Sequence, residues 1–298
     1  MTSTPRVSIG VPVYNGGRYL QETLDSLTAL TGPEIEIVIS DNGSTDDTEQ
    51  LCRAASADDE RIRYHRSPVN RGAAWNYNRV LELATAPLFK WAAADDVCEP
   101  SFVARCVELL DAAGDAAVLA YPRTTLIDED SAVAGTLDDD DLDLRARRPS
   151  DRIGQLLRHR VEWHPVFGVI RTDVLRRTPG IGAYPSADIS LLAELSLYGQ
   201  FHQVPERLFL RRYHDRRSIA AGPSFQQQAA WYNPNARNRL VLPEVRLTKE
   251  LLAGVRRAPL PAAEKARAAR MVLQRWALPH WRHIGGELKI AARDLTRR

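Results

Sequence analysis

The chain has 298 residues and a mass of 33.4 kDa, with 44% hydrophobic and 26% charged residues; this is ordinary globular composition and excludes a disordered, fibrous or membrane-spanning protein. The formal net charge is only +2, yet residues 201–298 carry 20 basic and 7 acidic side chains against 20 and 31 in residues 1–200, so an acidic front is followed by a basic tail. Three cysteines, Cys52, Cys98 and Cys106, are too few and too irregularly spaced for a disulfide framework or a zinc site, which favours a reducing compartment.

The first 120 residues alternate short β-rich apolar runs with amphipathic helical patterns, the arrangement of a parallel sheet covered by helices. Strands are predicted at Val7 to Val13, Ile35 to Ser40, Ile62 to His65, Leu88 to Ala92 and Ala117 to Tyr121. Helices are predicted at Arg18 to Leu30, Asp46 to Ala57, Asn76 to Ala84 and Pro100 to Ala113. Residues 128–151 (DEDSAVAGTLDDDDLDLRARRPSD) read as a solvated loop or mobile flap. Beyond it a helix is expected at Ile153 to Arg160, a strand at Val166 to Ile170, a helix at Ile189 to Tyr198 and a strand at Arg207 to Tyr213. From about Arg246 the pattern is purely helical and predicts two or three helices appended to the main body. No stretch reaches the roughly 18 to 20 apolar residues needed to cross a bilayer, and MTSTPRVSIG lacks a signal-peptide layout. A cytoplasmic protein is expected, with surface attachment to a membrane left open.

Ligands of open α/β sheets bind at the carboxyl ends of the strands. Those ends carry Pro12-Val13-Tyr14-Asn15-Gly16-Gly17, Asp41-Asn42-Gly43-Ser44-Thr45-Asp46, Asn70-Arg71-Gly72 and Ala94-Asp95-Asp96. There is no GxxxxGK phosphate loop, GxGxxG, HExxH, CxxC or GxSxG, so P-loop, hydride-transfer, zinc-protease, thiol-redox and serine-hydrolase chemistries lack support. What remains is an acidic pair at a strand end, the usual way of holding Mg²⁺ or Mn²⁺ through carboxylates and substrate phosphates. A helix cap before Pro100 is the structural alternative.

Four segments in order, VSIGVPVYNGGRYLQETLDSL, IVISDNGSTDDT, NRGAAWNYN and FKWAAADDVCEPSF, resemble the nucleotide-sugar half of family 2 glycosyltransferases, inverting enzymes with a GT-A fold. The resemblance covers roughly residues 5–215. It implies a GT-A catalytic domain over 1–220, with a nucleotide-sugar half to about 125 and an acceptor half from about 126, followed by a basic helical extension over 221–298. The fold implied is α/β, with a Rossmann-like, mostly parallel central sheet flanked by helices. The implied reaction moves a sugar from a nucleoside diphosphate sugar, with a UDP-sugar favoured, to a hydroxyl of a glycan, lipid-linked glycan or metabolite, with Mn²⁺ or Mg²⁺.

Carried over by position, Pro12, Val13, Tyr14 and Asn15 resemble the wall of the nucleobase pocket, and Asp41 the carboxylate that contacts base or ribose. Asp41 is also a natural turn former. Asn70, Arg71 and Gly72 are similar to the segment lining the base and diphosphate side, where glycine permits close backbone approach. In the metal motif Asp95 corresponds to the last carboxylate and Ala93 replaces the first; Asp96 either supports by hydrogen bonding or caps the next helix. Only Asp188 of Ala187-Asp188 matches the family's acidic pair, which makes it the implied general base, with helix capping as its alternative. RRYHDRRS, holding Arg211, Arg212, His214, Arg216 and Arg217, resembles the segment that approaches metal or diphosphate, with His214 a metal ligand and Arg212 a supporting candidate. Trp163 and His164 are acceptor-side candidates, although core packing is the competing reading for Trp163. Trp276, Trp281 and Ile284 among arginines have the composition of a segment lying on an anionic membrane; packing on the catalytic body is the alternative. No nucleic-acid-reading module is recognisable. A sugar nucleotidyltransferase, and a non-catalytic sugar-nucleotide or glycan-binding homologue kept open by Ala93, are the other readings.

Overall fold

A computed structural model describes residues 4–137, 140–159, 162–214, 225–233 and 242–295. Its first 113 residues run β1 (Val7–Val13), α1 (Gly17–Thr28), β2 (Ile35–Asp41), α2 (Thr48–Asp58), β3 (Ile62–Arg66), α3 (Ala73–Leu83), β4 (Leu88–Trp91), β5 (Val97–Cys98) and α4 (Phe102–Ala113). They continue with β6 (Ala117–Ile127), β7 (Val133–Thr136), α5 (Pro149–Leu156), β8 (Val169–Arg171), α6 (Thr172–Leu175), α7 (Ala187–Tyr198) and β9 (Gln200–Arg212). The tail holds α8 (Phe225–Tyr232), α9 (Pro243–Arg257), α10 (Ala262–Val272) and α11 (Trp281–Leu295).

The strands form one sheet in the order β3-β2-β1-β4-β8-β6-β9-β5, with β7 paired to β6. β1 to β4 are mutually parallel; β1 and β2 are buried throughout as Val/Ile-rich runs and β4 as Leu88–Trp91, as a sheet covered on both faces requires, whereas the edge strand β3 is buried only at Ile62. Val13 lies beside Asp41, and Asp41 beside Arg66, so the loops after β1, β2 and β3 leave the sheet along one edge. α3 packs on β1 and β2, α4 on β6, β8 and β9. Gly10 permits the first of these contacts: a Cβ there would lie 2.6 Å from Val80 and 2.8 Å from Phe89.

Differences from the sequence expectation are local. The expected strand at Val166 to Ile170 is half turn: Pro165, unable to donate to a ladder, sits in a 3₁₀ turn over His164–Phe167, and only Val169–Arg171 pairs with β4 and β6. β6 runs on past Tyr121 to Ile127, with Pro122 at a register shift against β9. The 128–151 stretch is not simply a loop, because β7 pairs with β6, Asp128 accepts the N–H groups of Asp130 and Ala132, and Arg123 forks onto Asp140 at 2.7 Å. β5, α6 and α8 have no counterpart among the expected elements. Arg160, the expected last residue of one helix, lies outside the described residues, as does the expected domain boundary at 220/221.

The C-terminal helices pack on the body through their inner sides. Arg257 forks onto the buried Glu194 of α7 at 3.1 and 2.6 Å, and Glu264 of α10 accepts the Ser150 N–H at the start of α5 at 2.8 Å. Glu287 of α11 accepts the N–H groups of Glu244 and Val245 in the first turn of α9, where the helix dipole favours a carboxylate. No helix among the described residues is long and apolar enough to cross a membrane.

Candidate active site

The loops at the sheet edge are tied to one another before any ligand is considered. Asn15 takes a left-handed backbone (φ 51°), tolerated by Asn better than by most residues, which turns the chain out of β1. Its side-chain oxygen accepts the Thr45 N–H at 2.9 Å, while its own N–H donates to Ser44 at 2.9 Å. Asn76 on α3 donates from Nδ2 to the carbonyls of Val13 and Ser40, pinning the ends of β1 and β2 together. Asn42 likewise donates to Asn70 and to the Gly72 carbonyl and accepts the Arg71 N–H. Gly72, with φ 90°, turns the chain into α3.

These loops frame a cavity of about 310 Å³ lined by Pro12, Val13, Tyr14, Asn15, Asn70 and Asp95 from the expected set, and also by Tyr19, Asn42, Asp46, Asn76, Tyr77 and Ala93. Asp41, Arg71 and Gly72 are not part of its lining. Asp41 is fully buried: its carboxylate accepts the Ser44 N–H at 2.8 Å, the Tyr64 hydroxyl at 2.9 Å and Arg66 Nε at 3.1 Å. It therefore ties the turn to β3, with three donors on a carboxylate that has about four acceptor sites. The Arg71 guanidinium lies over Trp75 instead, 4.4 Å from the ring centre. Burial disfavours ionisation of Asp46, but hydrogen bonds from Thr48 and the Gly17 N–H outweigh it and hold the carboxyl below its usual range.

At the far side of the cavity His214 Nε2 lies 2.8 Å from Asp95 Oδ2. The two side chains are hydrogen-bonded to each other here; neighbouring ligands of an octahedral cation stand roughly 3 Å apart, so both could reach one Mg²⁺ or Mn²⁺ once that bond gives way and each turns its lone pair to the cation. Among the described residues no group of three or more His, Cys, Asp and Glu forms a complete metal cage. Two protein donors suit a cation that takes its other ligands from a diphosphate and water. Ala93 lines the cavity where the family pattern has its first carboxylate.

Asp96 and Arg212 support this corner from behind, and neither lines the cavity. Asp96 is not a helix cap, since Ser101 occupies the N-cap of α4. Its carboxylate accepts the Arg212 N–H at 2.9 Å and lies 3.5 Å from Arg211 Nη1; burial pushes its pKa up against the pull of Arg211. The fully buried Arg212 donates to the carbonyls of Asp95 and Asp128, to Ser131 and to Glu22, and so fastens the Asp95 backbone and the start of the 128–131 turn. Arg216 and Arg217 lie outside the described residues.

A second cavity of about 500 Å³ adjoins the first, sharing Tyr77, Phe167, Arg211 and Trp231 as a common wall. Asp188 lines it from the first turn of α7, where its Oδ1 accepts the Ile189 N–H at 3.0 Å. The residue at the helix N-cap is Ser186, in a left-handed conformation (φ 62°). Burial raises the Asp188 pKa, and the N–H bond and the positive charge of Arg211 offset only part of that rise. Trp163 and His164 line the same cavity. Burial brings the His164 pKa down to about 4 despite Glu162, so the ring is neutral near pH 7, bonded to Thr124 and Glu162.

Several lining residues were absent from the expected set. Glu162 was hidden beside Trp163-His164; Arg211 was one of several arginines that sequence could not rank; Tyr19 and Tyr77 fell inside predicted helices and carried no signal of their own. Trp231 and Tyr232 belong to α8, where the adjacent aromatic pair was the one available signal. Arg211 bridges the cavities: its guanidinium lies over Phe167, 4.9 Å from the ring centre. Its Nε, 3.9 Å from Glu162, is buried and has no hydrogen-bond partner among the described residues.

The model of glycosyl transferase family 2 matches residues 8–174. An uncharacterized glycosyltransferase of Rickettsia typhi is 33% identical over 130 residues, 44% of this chain and 40% of that protein. Escherichia coli chondroitin synthase is 32% identical over 104 residues, 35% of this chain and 15% of the synthase. The chain thus spans well under two thirds of these curated relatives. Among solved structures, TarS 1–349 of S. aureus in complex with UDP-GlcNAc matches with a TM-score of 0.66 at 16% identity, covering 91% of this chain and 72% of that one. A mannosyltransferase from Pyrobaculum calidifontis in complex with GDP-Man and Mn²⁺ matches with a TM-score of 0.53 at 19% identity, covering 98% and 76%. At those identities the likeness is one of fold, and it is the fold expected, a GT-A type α/β body with C-terminal helices. With the family model matching more than half of its length, the chain belongs to glycosyl transferase family 2.

Proposed function

We propose that the chain is an inverting, divalent-cation-dependent glycosyltransferase that moves a sugar from a nucleoside diphosphate sugar to a hydroxyl of a glycan, lipid-linked glycan or metabolite. The observation that carries this reading is the pair of adjoining cavities, one holding Asp95 with His214 and the other Asp188, separated by the Arg211 wall. The complexes of the structural neighbours with UDP-GlcNAc and GDP-Man support a sugar nucleotide as donor; a UDP-sugar is our first choice.

In this reading the donor occupies the first cavity, its base end among Pro12, Val13, Tyr14 and Asn15 and its diphosphate toward Asp95 and His214. A bound cation would be held by Asp95 and His214 and would neutralise charge developing on the leaving diphosphate. Arg211, kept charged by Asp95, Asp96 and Glu162, faces the same region and offers N–H donors. Asp188 takes the acceptor hydroxyl proton; the oxygen bonds to the anomeric carbon as the bond to the diphosphate oxygen breaks on the opposite face, inverting the centre. A carboxylate with a raised pKa is a better proton acceptor than an ordinary one. The direct test is donor turnover: intact protein incubated with UDP-, GDP-, dTDP- and ADP-sugars, with and without Mn²⁺, should release one nucleoside diphosphate in a metal-dependent way. Tight nucleotide binding without hydrolysis or transfer would instead favour the non-catalytic homologue.

Membrane-surface contact by the tail belongs to the same reading, because it suits a lipid-carried acceptor. Leu273, Leu278, Trp281, Leu288 and Ile290 are each more than half exposed, and Arg275, Arg282, Lys289 and Arg293 are interspersed among them. Vesicles containing phosphatidylglycerol should co-sediment the protein, with binding lost in Trp281→Glu/Leu278→Glu and weakened by salt. Equal behaviour with and without anionic lipid would leave the tail only its packing role.

A further inference from the structure

The first cavity carries a cation that the donor reading does not use. Arg18, in the first turn of α1, lines it together with Tyr19, Asp95 and His214. A basic side chain in that turn opposes the helix dipole, so helix stability does not account for it. Its place is at the diphosphate end of the cavity: the guanidinium lies 4.9 Å from the centre of the Tyr19 ring, and that ring stands 5.0 Å from the ring of His214. The Tyr19 hydroxyl is buried and has no hydrogen-bond partner among the described residues, so this corner holds a polar group that the protein leaves unsatisfied. Arg18 itself is paired with a carboxylate, its Nη1 lying 2.9 Å from Glu129 Oε2 on the turn between β6 and β7. The two side chains are 51% and 42% exposed, and an ion pair so open to water contributes little. The turn does not depend on that pair, because Ser131 donates to Glu22 at 2.7 Å and Arg212 donates to Ser131 and to the Asp128 carbonyl. Arg18 can therefore leave Glu129 without moving the turn, and a released guanidinium is a donor fork that matches phosphate oxygens.

We infer that Arg18 is a further donor-binding residue that contacts the diphosphate, and that Glu129 is the competing carboxylate which holds Arg18 until phosphate oxygens displace it. The inference rests on the proposed transferase reading, in which this cavity takes the donor, and deepens it by adding a phosphate contact from α1 to the pair at Asp95 and His214. On exchange, Arg18 donates to the phosphate and the half-exposed Glu129 returns to water. The two halves of one ion pair then act on nucleotide binding with opposite signs: removing Arg18 weakens it, and neutralising Glu129 strengthens it. An ion pair that only braced the fold would move both in the same direction.

The test titrates the intact protein calorimetrically with UDP, GDP, dTDP and ADP in the presence of Mn²⁺, then repeats the tightest-binding diphosphate and its parent nucleoside on two variants. Arg18→Ala should weaken the diphosphate about tenfold, as loss of a charge-assisted contact does, and leave the nucleoside unchanged. Glu129→Gln should tighten the diphosphate by roughly two- to fivefold, the strength of the exposed pair it removes. Both side chains stand half in water, so both variants should melt, without nucleotide, close to wild type. An unchanged diphosphate affinity in Arg18→Ala, an equal loss for the nucleoside, or a diphosphate bound no more tightly by Glu129→Gln would each overturn the inference. The two levels fail differently: a wild-type protein that binds a diphosphate no better than Arg18→Ala does sinks only this inference, whereas a wild-type protein that binds none of the four sinks the donor reading and this inference with it.

Discussion

Asp188→Asn should lower kcat for transfer by roughly a hundred- to ten-thousandfold, the usual contribution of a positioned general base, while leaving the UDP-induced thermal shift at its wild-type size. The split follows from the geometry. Asp188 lines the second cavity and not the first, so donor binding does not depend on it. The substitution keeps the size and an oxygen that can accept the Ile189 N–H, so the start of α7 should survive it. The wild-type pH profile supplies a second readout. Burial raises the Asp188 pKa, so activity should fall as the pH drops through a value above the ordinary carboxylate range. Glu162, with its pKa brought down to about 2, would place the acid limb far lower if it were the base. Near-normal turnover in Asp188→Asn, or an acid limb at the Glu162 position, would remove Asp188 from the mechanism.

The second large effect is expected at Asp95. In wild type, Mn²⁺ together with the cognate nucleoside diphosphate should stabilise the fold by about 2.7 kcal/mol at a concentration one hundred times Kd. Asp95→Ala should abolish the metal-dependent part of that shift and lower kcat on the order of a hundred- to thousandfold, as loss of one preorganised electrostatic contact does. The apo protein should keep most of its stability, because Arg212 bonds the Asp95 backbone carbonyl and only the His214 contact with the carboxylate is lost. His214→Gln should weaken the metal response while leaving nucleotide binding without metal in place. An undiminished Mn²⁺ shift in Asp95→Ala would mean that the cation is held elsewhere.

Much of the donor half was legible in the chain because its information is local. Val7–Val13 and Ile35–Asp41 are predominantly Val/Ile runs, which suit a sheet buried on both faces, and the residues that follow each run must emerge on one edge of a parallel sheet. Pro12, Tyr14, Asn15, Asn70 and Asp95 reach the cavity for that reason. Asp41 was ambiguous from the start, since the same carboxylate suits a ligand contact or a turn; in the fold Tyr64 and Arg66, brought beside it by β3, both donate to it, a partnership that no local spacing signals.

The acceptor side was far less legible. Asp188 and His214 could be nominated only by resemblance, and Trp163-His164 only as an aromatic pair. Nothing in RRYHDRRS distinguishes Arg211 from Arg212, because neighbouring residues of a strand differ in direction and not in chemistry. In the fold Arg212 is buried behind Asp95, holding backbone carbonyls, whereas Arg211 stands in the wall between the cavities. Glu162 and Phe167 come from the segment around the 3₁₀ turn, Arg211 from β9 and Trp231 from α8, and the three segments converge through contacts that no spacing encodes. The order of strands and helices, the parallel edge and the loops that open from it were set by periodicity and turn chemistry along the chain. Which charged side chains face a ligand, and which are consumed in holding the frame, was settled by long-range packing, because burial and the choice of partner exist only once distant segments have met.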